Sequence, residues 1–186
     1  RRRPGGGPLT GQKQCEVNLR AIALAQWLLA DKREPTPGER GALMAYSGFG
    51  STDVRKHALS SDGAPLPPLR ALGLDPATLE SLRRSVLTSF YTPPALCRAI
   101  WDILAHLGLA ELPAPRVLEP SAGTGRFLDA APWGVESSGG LNPGRVLAVE
   151  LDRCAALDLR ALHAGVDARC QSFETLVLPP DFAAVV

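Results

Sequence analysis

No apolar run in this sequence approaches the roughly 20 residues that a membrane-spanning helix needs. The Arg-rich start "RRRPGGGPLTGQK" is not followed by the hydrophobic region of a secretory signal. A cytoplasmic protein with no membrane partner is the expectation. Cysteine is scarce: Cys15, Cys97, Cys154 and Cys170 stand far apart, without the paired spacing of zinc sites or redox motifs, and read as reduced and structural. His57, His106 and His163 are isolated, so neither a metal site nor a histidine catalyst is expected. There is one methionine, Met44, and none at position 1; the sequence stops within the apolar run "FAAVV" and reads as a fragment.

What is present suits an ordinary core: 186 residues, 45% of them hydrophobic. The net charge of +1 conceals an asymmetry, because residues 1–100 carry 14 basic and 8 acidic side chains and residues 101–186 carry 6 and 11. A basic half suits a polyanion such as nucleic acid, and an acidic half tolerates a cationic ligand.

Composition divides the chain into a disordered basic arm (1–14), a helical N-terminal region (15–88) and an α/β region (89–186). In "EVNLRAIALAQWLLA", Leu19, Ile22, Ala23, Gln26, Leu29 and Ala30 recur at helical spacing and predict an amphipathic helix. Pro35 and Pro37 break it, and a short helix is expected from Gly38 into "ALMAYSG". "SGFGSTD" and "SSDGAPLPP" read as turns, and the aromatics of "AYSGFG" are expected to have a packing role. In "DPATLESLRRSVL" Asp75 caps a helix with Pro76 at its first position. Leu96, Ile100, Ile103, Leu104 and Leu107 fall in register on a further helix whose start signal is Thr92 with Pro93.

Strand and helix then alternate: "RVLEP", "GRFLDAAP", "RVLAVELD", "RCAALDLRALHAG", "VDARCQS" and "FAAVV". This order predicts a parallel sheet with helices on both faces, and ligands on such sheets bind at the carboxyl ends of the strands. The loop "EPSAGTGRFL" after the first strand is therefore the candidate site. A phosphate-cradling loop needs Lys and a hydroxyl residue after its last glycine, where Arg126 and Phe127 stand. A dinucleotide loop wants a small residue where Leu128 stands, so that fit is partial. Glu119, directly before the loop, repels a pyrophosphate and attracts a cation. Glu150, 25 residues after Gly125, is placed to take ribose hydroxyls. S-adenosyl-L-methionine, which joins an ammonium and a sulfonium to a nucleoside, meets these conditions.

In their order, "FYTPPALCRAI", "RVLEPSAGTGRFL", "LAVELD" and "QSFE" resemble the cofactor-binding half of S-adenosylmethionine-dependent DNA adenine-N6 methyltransferases. The similarity is greatest to the large helicase-associated methylases of phages and mobile elements, in which a "YSGFG"-like segment also precedes the methylase motifs. The resemblance runs from about Gly38 to Val186. It implies a Rossmann-like class I methyltransferase fold, truncated after about four parallel strands, behind a helical N-terminal region. It also implies double-stranded DNA with an adenine target as partner, a helicase portion in the same full-length chain, and a setting such as restriction-modification.

Position by position, the resemblance implies that Thr92, beside Tyr91, binds the methionine carboxylate and that Glu119 faces the ammonium. Pro120, Ser121, Ala122, Gly123 and Gly125 would line the cofactor, Glu150 would hold the ribose, and Leu151 would pack on the adenine. The Asp that follows the third strand in the family is replaced by Gln171, Ser172 and Phe173, which leaves Phe173 to stack on the ring. The family's catalytic Asn/Asp-Pro-Pro-aromatic motif is absent: no Asn or Asp precedes Pro179 and Pro180, which also lie before the fourth strand. No catalytic residue is assigned. An RNA or protein-glutamine methyltransferase, a non-catalytic nucleic-acid-binding module and a dinucleotide-dependent oxidoreductase remain as alternatives.

Overall fold

The computed structural model describes residues 9–85, 91–132, 141–178 and 181–186. The arginines at 1–3, Phe90, Pro179, Pro180 and most of the "ESSGGLNPG" loop lie outside the described residues. The order of elements is α1 (Gly11–Asp31), α2 (Pro37–Met44), α3 (Thr52–Arg55), α4 (Pro67–Arg70), α5 (Pro76–Ser85), α6 (Pro94–His106), β1 (Val117–Glu119), α7 (Arg126–Asp129), β2 (Val146–Glu150), α8 (Arg153–Leu162), β3 (Asp167–Cys170) and β4 (Ala184–Val185). The four strands form one all-parallel sheet in the order β3-β2-β1-β4, behind an N-terminal helical region. β2 runs beside β1 from Val117 opposite Val146, and β4 lies on β1's other edge.

This order fixes where the helices lie. The steps from β1 to β2 and from β2 to β3 run in one direction, so right-handed crossovers put α7 and α8 on the same face. Leu128 and Leu159 accordingly pack there with Val117, Val146, Ala148 and the α6 residue Trp101. The step to β4 reverses direction and crosses the other face, and its described residues form a single 3-10 turn and no α-helix. Leu118, Leu147 and Val149 are thus covered by Leu176, Leu178 and Phe182, and helices on both faces are not found among the described residues.

The helical region packs on the back of α8. Ile22, Tyr46, Phe49 and Leu82 share one core cluster with Cys154 and Ala155, while Ala25, Leu28 and Leu43 meet Ala161 and Leu162 in another. α1 begins at Gly11, so residues 11–14 are helix rather than arm; Thr10 caps it by accepting from the Lys13 N-H. Its buried face also differs from the expected one. Cys15, Asn18, Ile22, Ala25 and Leu28 face inward, while Ala23 and Ala30 are exposed. The rotation follows from Asn18, a polar residue that is fully buried because it holds a turn.

Asn18 Oδ1 accepts from the Ser47 N-H at 3.0 Å and from Gln14 Nε2 at 3.1 Å, and its amide donates to the Gly48 carbonyl. Gly48 has a φ of +72°, which favours glycine. Asn18→Ala leaves the half-buried Ser47 N-H and the buried Gly48 carbonyl unpaired, and a loss of about 2–4 kcal/mol in urea denaturation is the expected outcome.

α6 brings a second correction. Cys97 and Trp101 are its buried side chains, whereas Leu96, Ile103 and Leu107 are exposed. Trp101 donates from Nε1 to the Phe127 carbonyl at 2.8 Å, and this polar tether turns the helix so that Leu96, Ile103 and Leu107 point outward while Leu104 still packs against the core. The helix cap is Pro93, without a side-chain hydrogen bond, so Thr92 does not cap it. Asp75 does cap α5: its carboxylate accepts from the Thr78 N-H at 3.0 Å and from the Thr78 hydroxyl at 2.7 Å. The expected helix "GRFLDAAP" is the single turn α7.

Candidate functional site

The strand order reverses at β1, which has β2 on one side and β4 on the other. In open α/β sheets, ligands bind at the carboxyl ends of the strands beside this switch point. β1 ends in Glu119, and residues 120–125 make the loop that follows.

Hydrogen bonds tie that loop to β2. The Ala122 N-H donates to the Val149 carbonyl at 2.9 Å, and the Gly125 N-H turns back to the Ala122 carbonyl at 2.8 Å. The Gly123 N-H donates to Glu150 Oε2 at 2.6 Å, and the Asp152 N-H donates to Glu150 Oε1 at 2.6 Å. Glu150 therefore acts first as a bracket joining two loops. Each carboxylate oxygen keeps a second lone pair, so the bracket can still accept from ligand hydroxyls. Burial raises the Glu150 carboxyl, while the N-H donors from Asp152 and Gly123 act against that rise.

Glu119 is the electrostatic anomaly. It is only 2% exposed, and its Oε2 has no hydrogen-bond partner. Burial, then the charges of Glu150 and Asp129, push its carboxyl up to about 8. Three acidic groups thus converge at the loop. A cation arriving there would meet an acceptor without a partner, and a phosphate would meet repulsion.

Both loop glycines have positive φ, +56° at Gly123 and +88° at Gly125. A Cβ on Gly123 would stand 3.0 Å from the Tyr91 ring, and one on Gly125 would stand 2.7 Å from the His163 ring. Tyr91 is held over Gly123 by the Arg126 guanidinium, 4.8 Å from its ring centre, and by an edge contact with Tyr46 at 6.4 Å. His163 lies 3.4 Å from Asp129, whose Oδ1 takes an ion pair from Arg40 at 3.0 Å. The loop is therefore braced from the helical region twice, through Tyr46 and through Arg40.

Of the residues expected at the site, Tyr91, Glu119, Ala122, Gly123, Gly125 and Glu150 converge. Pro120 and Ser121 lie on the same loop, with Ser121 exposed. Leu151 follows β2 and is 67% exposed, unusual for a leucine directly after a buried strand. Ser172 and Phe173 lie on the turn after β3, joined to β2 by the Gln171 N-H donating to the Glu150 carbonyl; Phe173 is exposed. Thr92 is half-buried, and its carbonyl accepts from Cys97.

Sequence reasoning missed Tyr46 and Arg40 as braces, and it read His163 as isolated although it stands behind Gly125. Only the "AYSGFG" signal pointed toward one of these. Tyr46 and Phe49 are buried in the core, in agreement with a packing role. Among the described residues no group of His, Cys, Asp or Glu side chains could hold a metal ion, and no helix is long and apolar enough to cross a membrane. The four cysteines are free.

Compared with protein-family models, with curated proteins and with solved structures, the chain finds no match.

Proposed function

We propose that this chain binds S-adenosylmethionine and is the cofactor-binding part of a class I methyltransferase that acts on the exocyclic amino group of adenine in DNA. The observation that carries the cofactor assignment is Glu119, a buried carboxyl group with an unpartnered oxygen at the switch point of the sheet. An ammonium would take the place of the proton that burial and the neighbouring Glu150 and Asp129 charges keep on this group, and would pair with the ionised oxygen. Glu150 has spare acceptor capacity for ribose hydroxyls, and the glycines let the backbone approach closely. The order β3-β2-β1-β4 supports the fold assignment, because it is the opening half of a doubly wound sheet.

The bound cofactor would supply an electrophilic methyl group. This chain's residues would hold and orient it: Glu119 at the ammonium, Glu150 at the ribose, and the Gly123–Gly125 backbone alongside. Such a reaction depends mainly on alignment of the two reactants and exclusion of water. The group that receives the target amine is not supplied here, since the sequence contains no Asn or Asp followed by two prolines and an aromatic. The assignment to adenine in DNA rests on the ordered motif resemblance and on the basic N-terminal half.

Equilibrium dialysis with radiolabelled S-adenosylmethionine tests the cofactor assignment. The expected result is weak saturable binding, competed by S-adenosylhomocysteine and not by ATP or a nicotinamide dinucleotide, and lost in Glu150→Ala. Tighter binding of a dinucleotide would defeat it. Methyl transfer to DNA by these 186 residues alone would contradict the division of labour proposed for the chain.

A further inference from the structure

A second feature adjoins the site without having been expected in it. Between α5 and the β2–α8 turn lies an open cleft of about 350 Å³, toward the lower end of the roughly 300–1,000 Å³ usual for small-molecule sites. Glu150 and Leu151 line one side, and Ala77, Glu80, Ser81 and Arg84 line the other. Phe173 is not among its walls, so the cleft is not the one that the turn after β3 was expected to form.

The α5 wall is fixed in place. Ser81 Oγ accepts from the Arg153 N-H at 2.9 Å and reaches the Leu151 carbonyl at 3.5 Å, so one hydroxyl joins the helix to both ends of the turn. The Asp75 cap secures the helix start, and Leu82 anchors its inner face in the core. Within the cleft the exposed Leu151 side chain and the Ala77 methyl offer apolar surface. Glu80 lines the same wall as Ala77, oriented by Arg84 at 3.0 Å and Arg83 at 3.4 Å. Those two guanidiniums hold its carboxyl below its ordinary value, so Glu80 is an ionised acceptor that cannot donate.

We infer that α5 is a specificity-determining wall of the ligand site, taking a 6-aminopurine ring between Leu151 and Ala77 with Glu80 accepting from its exocyclic amino group. This inference rests on the cofactor reading above, since a ribose held by Glu150 would direct its base into this cleft. An acceptor-only carboxylate favours an amino substituent over an oxo group, whose oxygen it would repel. A second acidic residue placed by the helical region would thus perform the discrimination for which no Asp is present after β3.

Saturation-transfer NMR with adenosine, inosine, methionine and S-adenosylmethionine as separate probes tests the inference on the 186-residue chain. Ala77 and Glu80 are exposed, so substitutions there should leave the circular dichroism spectrum unchanged. Ala77→Trp is expected to remove the adenosine signal and leave the methionine signal intact. Glu80→Ala should reduce the preference for adenosine over inosine by about tenfold or more, the scale of one charge-assisted hydrogen bond. An undiminished adenosine signal in Ala77→Trp, or an unchanged preference in Glu80→Ala, overturns the inference. Wild-type chain that binds methionine and S-adenosylmethionine but shows no preference for adenosine also overturns it, while the cofactor reading stands. Wild-type chain that binds none of the probes defeats both.

Discussion

Glu119→Gln is expected to make the protein more stable at alkaline pH and to leave its stability near pH 5 almost unchanged. In the unfolded chain this carboxyl titrates near its ordinary value of 4.5, while in the folded protein burial and its acidic neighbours hold it at about 8. Between those values the folded state keeps a proton that the unfolded state has lost. Its contribution to stability is therefore complete below about 4.5 and is lost as pH rises through 8. The full span corresponds to about 5 kcal/mol, a large share of the 5–15 kcal/mol typical of a domain.

Gln imitates the protonated acid in shape and cannot ionise. Urea denaturation at pH 5, 7 and 9 should show the two proteins within about 1 kcal/mol at the lowest pH and separated by several at the highest. Burial also raises Glu150 and Asp158, so both proteins keep some decline with pH, and the difference between them isolates Glu119. Parallel stability curves would refute the assignment. The same chemistry gives the proposed cofactor a signature: an ammonium that binds the ionised carboxylate displaces its proton. Uptake of S-adenosylmethionine at pH 7 should release close to one proton, read from the dependence of the calorimetric heat on buffer.

The parts of this fold that could be read in the sequence are those governed by local chemistry. Strands and helices alternate because short β-branched and aliphatic runs are separated by Gly, Pro and capping residues, and Asp75 and Pro76 announce α5 with no outside help. The meeting of Glu119 and Glu150 was also legible, since two strand ends beside one glycine loop must be neighbours in a parallel sheet. The faces of α1 and α6 were not. Each is rotated by a polar contact to a distant segment, Asn18 to the Ser47–Gly48 turn and Trp101 to Phe127, and hydrophobic periodicity contains no term for such a bond. The Glu150 bracket, the Tyr46–Tyr91 brace and the α5 cleft likewise depend on approaches across tens of residues. Helices on both faces were expected from the alternation alone. The described residues of the crossover into β4 contain no α-helix, and that breaks the rule at the strand where the order reverses.

Gly125→Ala should be the most damaging single-methyl addition at the site. Gly125 has a φ of +88° and is buried, and its missing side chain is the space in which the His163 ring lies. An added Cβ would meet Cδ2 and Nε2 of that ring at 2.7 Å and the Leu159 Cδ1 methyl at 3.0 Å. The left-handed backbone alone costs a residue with a Cβ about 1–2 kcal/mol. Displacing a buried ring adds about 1–3 kcal/mol, and His163 cannot shift without disturbing Asp129 and hence the Arg40 pair. A total loss of about 2–5 kcal/mol is expected in urea denaturation.

Gly123→Ala provides the comparison. Its φ is also positive, but its methyl would press on Tyr91, a half-buried ring held by a cation-π contact and an edge contact, at 3.0 Å and 3.2 Å. That ring can give way, so the loss should stay near the 1–2 kcal/mol of the backbone term. A double-mutant cycle separates strain from collision. If the His163 ring is the obstacle, Gly125→Ala costs less in a His163→Ala background than in the wild type, with a coupling of at least about 1 kcal/mol. Additive losses would place the cost in the backbone and the Leu159 contact, and the ring behind the loop would then have no part in setting its shape.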